Sequence, residues 1–234
     1  MATLADLPEI DARLADAFGE PRWQPELDPL DELIAAIISQ HTTWANCQRA
    51  FRELKARFGR WEAVRDAAVA EIAAAIRCAG LSRLKAPRIK RLLERISEER
   101  PDLDLRFLAT LPVPEAMAWL RRLPGVGQNT AACTLLFGLG RPAMPVDTSI
   151  CRICRRLGLT PPAAPPDAVQ AALQQATAPD RVYPLHVNLI RFGRDICRPS
   201  HPLCHVCPLN DLCDYFQATR DQPTVPSPCG RGLG

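Results

Sequence analysis

The chain has no stretch approaching the roughly 20 consecutive apolar residues that a membrane span needs, so no membrane partner is expected. It lacks the strict apolar–polar alternation of a half-buried strand, which argues against a β fold. It has no internal repeat that would announce a solenoid. Its opening segment, "MATLADLPEIDARLADAFGE", is acidic, unlike a secretory leader, and a cytoplasmic protein is expected. Apolar residues are not scarce: they make up 47% of the 234 residues, enough to bury one substantial core or two small ones.

The periodicity that is present is helical. "LDELIAAIISQ", "NCQRAFRELKARFG", "WEAVRDAAVAEIAAAIRCAG", "PEAMAWLRRL" and "DAVQAALQQAT" place apolar residues three and four apart, so the fold class expected is all-α. Gly59, Gly80 and Gly140 follow such runs as stops, Pro114 suits a first turn, and Asp167 after its proline pair suits an N-cap. "TPPAAPPD" at 160–167 reads as a stiff connector. From 217 to 234 the chain has little apolar content and many breakers, and disorder is expected there.

The net charge is only +3, but it is unevenly spread. Residues 83–95 hold six cations against Glu94, and residues 141–198 hold eight arginines against four aspartates. Both are candidate phosphate-facing surfaces, with ordinary solvated helix faces as the alternative.

Cysteines carry a stronger signal. Cys197, Cys204, Cys207 and Cys213 follow a C-x6-C-x2-C-x5-C pattern, with Pro199, Pro202 and Pro208 restraining the turns between them. In a reducing compartment four such thiolates hold zinc or an iron–sulfur cluster. A single C-x2-C pair with wide flanks leans toward iron and sulfur. Cys151 and Cys154 form a second C-x2-C, but Ile150, Ile153 and Leu157 recur around them at helical spacing, and core packing is the expected role. Cys47, Cys78, Cys133 and Cys229 show no paired spacing.

"LPGVGQNTA", residues 123–131, is a glycine turn running straight into a helix. Glycines there allow a sharp turn and a close approach, and the free amides and dipole of a helix N-terminus favour an anion such as a phosphate. A plain helix–helix turn is the bland alternative.

In order along the chain, "LPGVG...TA", the aspartate of "MPVDTSICRICRR" and the four-cysteine loop resemble the endonuclease III family of DNA glycosylases, from about residue 28 to 215. The resemblance implies an all-α protein of two lobes. A six-helix barrel with a helix-hairpin-helix would occupy 28–141, and a lobe holding a 4Fe-4S cluster on the four cysteines would combine 1–27 with 142–216. A monomer acting on double-stranded DNA with damaged bases or abasic sites is implied.

By that resemblance Asp147 is the catalytic carboxylate, which would stabilise a cation-like sugar and orient or deprotonate water; a helix cap is its other, compatible role. Asn129 stands where bifunctional members carry a Schiff-base lysine, and an amide forms no imine, so AP lyase activity is doubtful. DNA contacts are expected from Leu123, Gly125, Val126, Gly127, Thr130, Lys85 and Arg152, with His41 and Leu81 as the side chains that fill a vacated base stack. Gln40, His41 and Trp44 are the expected lesion pocket. His41 and Trp44 replace the family's usual glutamine and acidic residue. A tryptophan there resembles the helix-hairpin-helix 3-methyladenine glycosylases and would stack on a cationic alkylated purine; burial under its own helix is the alternative.

A glycosylase removing oxidised pyrimidines or alkylated purines by water attack is the leading expectation. A catalytically silent damage binder comes second and a structural cluster protein third. An adenine-excising mismatch glycosylase is disfavoured, because that branch carries an extra C-terminal domain.

Overall fold

The computed structural model describes residues 2–220; Met1 and 221–234, with Cys229, lie outside the described residues. Among those described there is no strand, and no helix is long and apolar enough to cross a membrane. In chain order the α-helices are α1 (Leu7–Phe18), α2 (Pro29–Ser39), α3 (Trp44–Phe58), α4 (Trp61–Asp66), α5 (Val69–Ala75), α6 (Ser82–Glu99), α7 (Val113–Arg121), α8 (Gln128–Leu139), α9 (Thr148–Leu157), α10 (Pro166–Ala176), α11 (Val182–Asp195) and α12 (Asp214–Arg220).

Local chemistry sets most of these limits. The Asp28 carboxylate accepts the Leu30 amide ahead of Pro29, and the Thr43 hydroxyl accepts the Asn46 amide, which are N-cap geometries. Gly59 and Gly140 end α3 and α8 at φ 73° and 61°, a region costly for any residue with a Cβ. Two expectations are corrected. Helix α10 starts at Pro166 with Pro165 in the cap position, because proline's fixed φ suits the first turn, and Asp167 lies inside that turn. Residues 217–220, expected to be disordered, form the end of α12, where the Gln217 amide bonds the Cys213 carbonyl and its side chain reaches the Asp211 carbonyl. The rest of the expected tail lies outside the described residues.

Buried side chains fall into two cores. One joins α2 to α8 and includes Leu33, Ile37, Leu54, Ile89, Leu93 and Leu135. The other joins α1 to α9, α10 and α11 and includes Ile10, Leu14, Ile150, Ile153, Leu173, Leu185 and Phe192. Cys151 and Cys154 are buried in this second core, as the helical spacing predicts.

The N-terminal segment is tied to the segments around Arg181 and Asp211 by charge as well as packing. Arg13 pairs with Asp211 at 2.6 Å, and Arg181 pairs with Asp11 at 2.6 Å and Glu20 at 3.0 Å. Helix α8 is shared: Leu135 faces the first core and Leu136 the second. Its Gly138 allows α2 to approach closely, since a Cβ there would meet the Pro29 Cα at 2.8 Å.

Candidate active site and cluster loop

Between the two cores lies a cleft of about 860 Å³. The end of α2 contributes Ala36, Ser39 and Gln40, followed by His41 and Thr42; α8 contributes Asn129, Thr130 and Cys133. The facing wall has Asp147, Cys151 and Arg155 from α9, with His186 and Ile190 from α11. Asn129 and Cys133, like Asp147 and Cys151, stand four residues apart, so each pair shares one helix face. Asn129 and Asp147 thus border the same space although 18 positions separate them.

Asp147 is held by its own helix: its Oδ1 accepts the Ile150 amide at 2.8 Å as the N-cap of α9. The cap fixes the carboxylate at the cleft edge and leaves Oδ2 without a hydrogen bond among the described residues. Among the described residues no lysine borders the cleft and Arg155 supplies its one guanidinium, which donates to the Ala164 carbonyl at 2.7 Å.

The glycine turn matches its sequence reading in shape. Gly125 adopts φ 80° and Gly127 precedes α8 in extended backbone with no side chain capping the helix, so first-turn amides are left for an outside acceptor. Leu123, Val126 and Thr130 are buried; the side chains of Leu123 and Val126 pack into the first core, while Thr130 borders the cleft.

His41 and Leu81 sit at φ 54° and 49°, a left-handed conformation costing of order 1–2 kcal/mol for residues with a Cβ. His41 is exposed at the cleft and Leu81 is 52% exposed just before α6.

Lys85 is not at the surface. It is 2% exposed, and its ammonium donates to the Ile38 carbonyl at 2.7 Å and the Ala79 carbonyl at 2.9 Å. It faces inward because α6 is amphipathic and position 85 shares its face with Ile89 and Leu92. Burial lowers its pKa. The expectation of a phosphate contact is therefore replaced by an internal one.

Arg152 is corrected likewise: its guanidinium donates to the carbonyls of Gly193 and Cys197, joining α11 to the cysteine loop. Trp44 is 73% exposed at the start of α3 and absent from the cleft wall, so it is neither a pocket wall nor buried under its helix. As the first residue of α3 its ring has no preceding turn to lie against.

The basic stretch 141–198 is mostly internal too. Arg141, Arg155, Arg156 and Arg191 donate to backbone carbonyls, while Arg181 and Arg194 pair with carboxylates. A guanidinium's five donors suit it to bridging helix ends, a use that charge counting does not distinguish from a phosphate site. In the stretch 83–95, Arg83 is exposed without a partner among the described residues, and exposed Arg88 lies against the hairpin: a Cβ on Gly125 would meet its Cδ at 3.6 Å. Arg88 also reaches the Gln40 side chain at 3.5 Å. It lies three residues beyond buried Lys85, at the edge of the same face of α6.

Three of the four loop cysteines are half-buried and Cys213 is buried. They converge, since charge on one sulfur raises the pKa of another; burial, the larger cause, pushes Cys207 up to about 11. Four cysteines on one short loop are the donor set that an iron–sulfur cluster takes. The Arg156 guanidinium, 3.4 Å from the Cys197 sulfur, adds a cation beside the donor set.

His186 and Cys133 were missed. His186 lacks a motif of its own, and Cys133 lacks paired spacing; the only sequence signal was the four-residue step from Asn129 to Cys133. The Cys133 thiol is pushed up by burial and by the charges of Glu32 and Asp147, so it borders the cleft as a neutral group.

Residues 34–179 match the HhH-GPD superfamily of base excision DNA repair proteins, and residues 197–213 match the iron-sulfur binding domain of endonuclease III. An Arabidopsis thaliana protein provisionally described as a DNA glycosylase is 38% identical over 168 residues, 72% of this chain and 57% of that one. Endonuclease III of Thermotoga maritima is 31% identical over 197 residues, 84% of this chain and 88% of its own. A solved non-covalent complex of an endonuclease III with DNA superposes with a TM-score of 0.81 at 25% identity, covering 95% of this chain and 100% of that one. The chain belongs to the HhH-GPD superfamily of base excision DNA repair proteins, and its four-cysteine loop is the 4Fe-4S site of the endonuclease III type.

Proposed function

We propose that the protein is a monofunctional DNA glycosylase: it binds double-stranded DNA as a monomer, draws a damaged base into the cleft between its lobes and releases it by attack of water. The observation that carries this reading is the pairing of Asp147 with Asn129 around a cleft that no lysine borders. A carboxylate fixed by its cap can balance the charge that develops on the sugar as the C–N bond stretches, and can take a proton from water. The amide of Asn129 can hold a hydroxyl or water by hydrogen bonds but cannot form an imine with C1′. The two lysines nearest in sequence, Lys90 and Lys85, each donate to two backbone carbonyls, and neither is a substitute nucleophile.

The hairpin amides with Arg83 and Arg88 form the proposed phosphate contact, and Leu81 and His41, held outward by strained backbone, fill the stack that the base leaves. The cluster serves architecture, organising the loop between α11 and α12. The lesion class favoured is an oxidised pyrimidine. Gln40, Thr42 and Asn129 offer amides and a hydroxyl to an imide edge, and among the described residues no Phe, Tyr or Trp lines the cleft as a face for a cationic purine to stack on.

The test is single-turnover cleavage of duplexes bearing thymine glycol, dihydrouracil, uracil or 3-methyladenine. Base release with an intact abasic strand and no borohydride-trapped adduct is expected, with release abolished in Asp147→Asn. Trapping that survives Asn129→Ala would replace water attack by an amine. Tight binding of abasic DNA without release from any duplex would make the protein a silent damage binder.

A further inference from the structure

The cleft contains one histidine that the water-attack scheme does not use. His186 is 6% exposed, yet its ring borders the cleft together with Asp147 and Asn129. Its Nδ1 lies 3.0 Å from the Pro145 carbonyl oxygen. A carbonyl only accepts, so Nδ1 carries the proton. The ring is further fixed by an edge-on contact with Phe137, centroids 5.4 Å apart. Nε2 has no hydrogen-bond partner among the described residues and does not count among the fully enclosed polar atoms left unpaired. In a neutral ring of this tautomer Nε2 is a bare acceptor.

Burial keeps the ring neutral, lowering its pKa to about 4 against the opposing effects of the Pro145 carbonyl and the Asp147 charge. An acceptor that stays unprotonated at physiological pH, within the electrostatic reach of Asp147, suits a water molecule better than an anionic or carbonyl-bearing ligand. Asp147 alone offers water one acceptor and leaves its orientation free; a second, rigid acceptor aims a lone pair of the oxygen.

We propose that His186 is a catalytic residue of the glycosylase reaction, its Nε2 accepting one hydrogen of the attacking water while Asp147 accepts the other. This rests on the water-attack reading above. The water oxygen bonds to C1′ as the C1′–N bond breaks, and the bonding pair leaves with the base. One water proton stays on the new C1′ hydroxyl. The other passes to Asp147 and from there to the departing nitrogen, so the products are the free base and an intact abasic sugar. His186 gains no proton at any step; it fixes geometry.

Two substitutions separate this role from a structural one. In His186→Asn the side-chain amide sits at the Nδ1 position and keeps the bond to Pro145, but the cleft acceptor is gone. In His186→Gln an amide oxygen reaches the Nε2 position. Expected results are wild-type thermal stability for His186→Asn, unchanged affinity for a duplex carrying a fluorinated, uncleavable version of the damaged nucleotide, and a single-turnover rate lower by at least about tenfold. His186→Gln recovers part of that rate. Nitrogen NMR of the wild-type imidazole at neutral pH shows Nδ1 protonated and Nε2 bare. A wild-type rate in His186→Asn, equal losses in both variants, or a protonated Nε2 overturns the proposal. If the wild type itself releases no base from any duplex of the panel, the glycosylase reading fails and this inference falls with it.

Discussion

The Lys85 ammonium donates to the Ala79 carbonyl at 2.9 Å, six residues back along its own chain, and the same nitrogen reaches Ile38 at the end of α2. One buried cation thereby ties two loops together. Ala79 lies two residues before Leu81 and Ile38 three before His41, so the two residues proposed to fill the DNA stack are anchored on a common point. Lys85→Met would leave two buried carbonyls without donors, at about 1–3 kcal/mol each. The expected outcome is a melting temperature lower by several degrees, with weakened binding to an abasic duplex. Unchanged melting would show that the carbonyls find other donors.

Helices α2 and α8 together carry one side of the cleft, and Gly138 sets their separation. Gly138→Ala would press a methyl onto the Pro29 Cα, main-chain material that cannot rotate away. A loss of about 1–3 kcal/mol is expected from such overpacking. Denaturant unfolding measures it, and the base-release rate should fall too, since Gln40 and Asn129 are carried on the displaced helices.

Glu32 on α2 has no side-chain hydrogen bond or ion pair among the described residues, and burial, with the neighbouring charge of Glu26, raises its pKa from 4.5 to about 7. Between those two pH values the native protein holds a proton that the unfolded chain has released. Stability contributed by this group therefore falls as pH rises through that window. Glu32→Gln should remove the slope and stabilise the protein by about 1–3 kcal/mol at pH 8. Melting curves across that range test the sign directly, and a wild type that gains stability over the window would contradict it.

Arg88 and Arg152 separate phosphate contact from internal bonding. Arg88→Gln should weaken binding to any duplex and reduce the slope of log affinity against log salt by about one. Arg152→Gln should leave the slope alone and loosen the cysteine loop instead, seen as lower stability and faster loss of cluster absorption.

The holo protein should be yellow-brown. Cys207→Ser, like serine at Cys197, Cys204 or Cys213, should bleach it and unfold the cysteine loop, with iron and sulfide analysis as the count. A colourless wild type with stoichiometric zinc would be the contrary result.

Helix identity, the hairpin and the cluster loop were legible along the chain because each is a local pattern: a 3.6-residue period, two glycines before a helix, four cysteines on a short tether. Asp147 was legible as a cap because capping depends only on the three residues that follow, whereas its reading as a site residue came from the family resemblance. Surface and interior were not legible for long cations. Lys85 and Arg88 differ by one helical turn, and sequence spacing does not say which of them meets a core and which meets the hairpin. Arginines between 141 and 198 look like a phosphate surface until their carbonyl partners, up to 45 residues away, are in place.

The sequence alone therefore determined an all-helical chain and its metal-binding loop, since these depend on residue type and short spacing; the reading of Asn129 as standing in a nucleophile's position came from the family resemblance. Tertiary structure decided which charges are free, where Trp44 lies, and that His186 faces the cleft of Asp147. Those are properties of elements distant in sequence that pack against one another, and the balance of burial, hydrogen bonding and desolvation that sets them exists only once the two cores have formed.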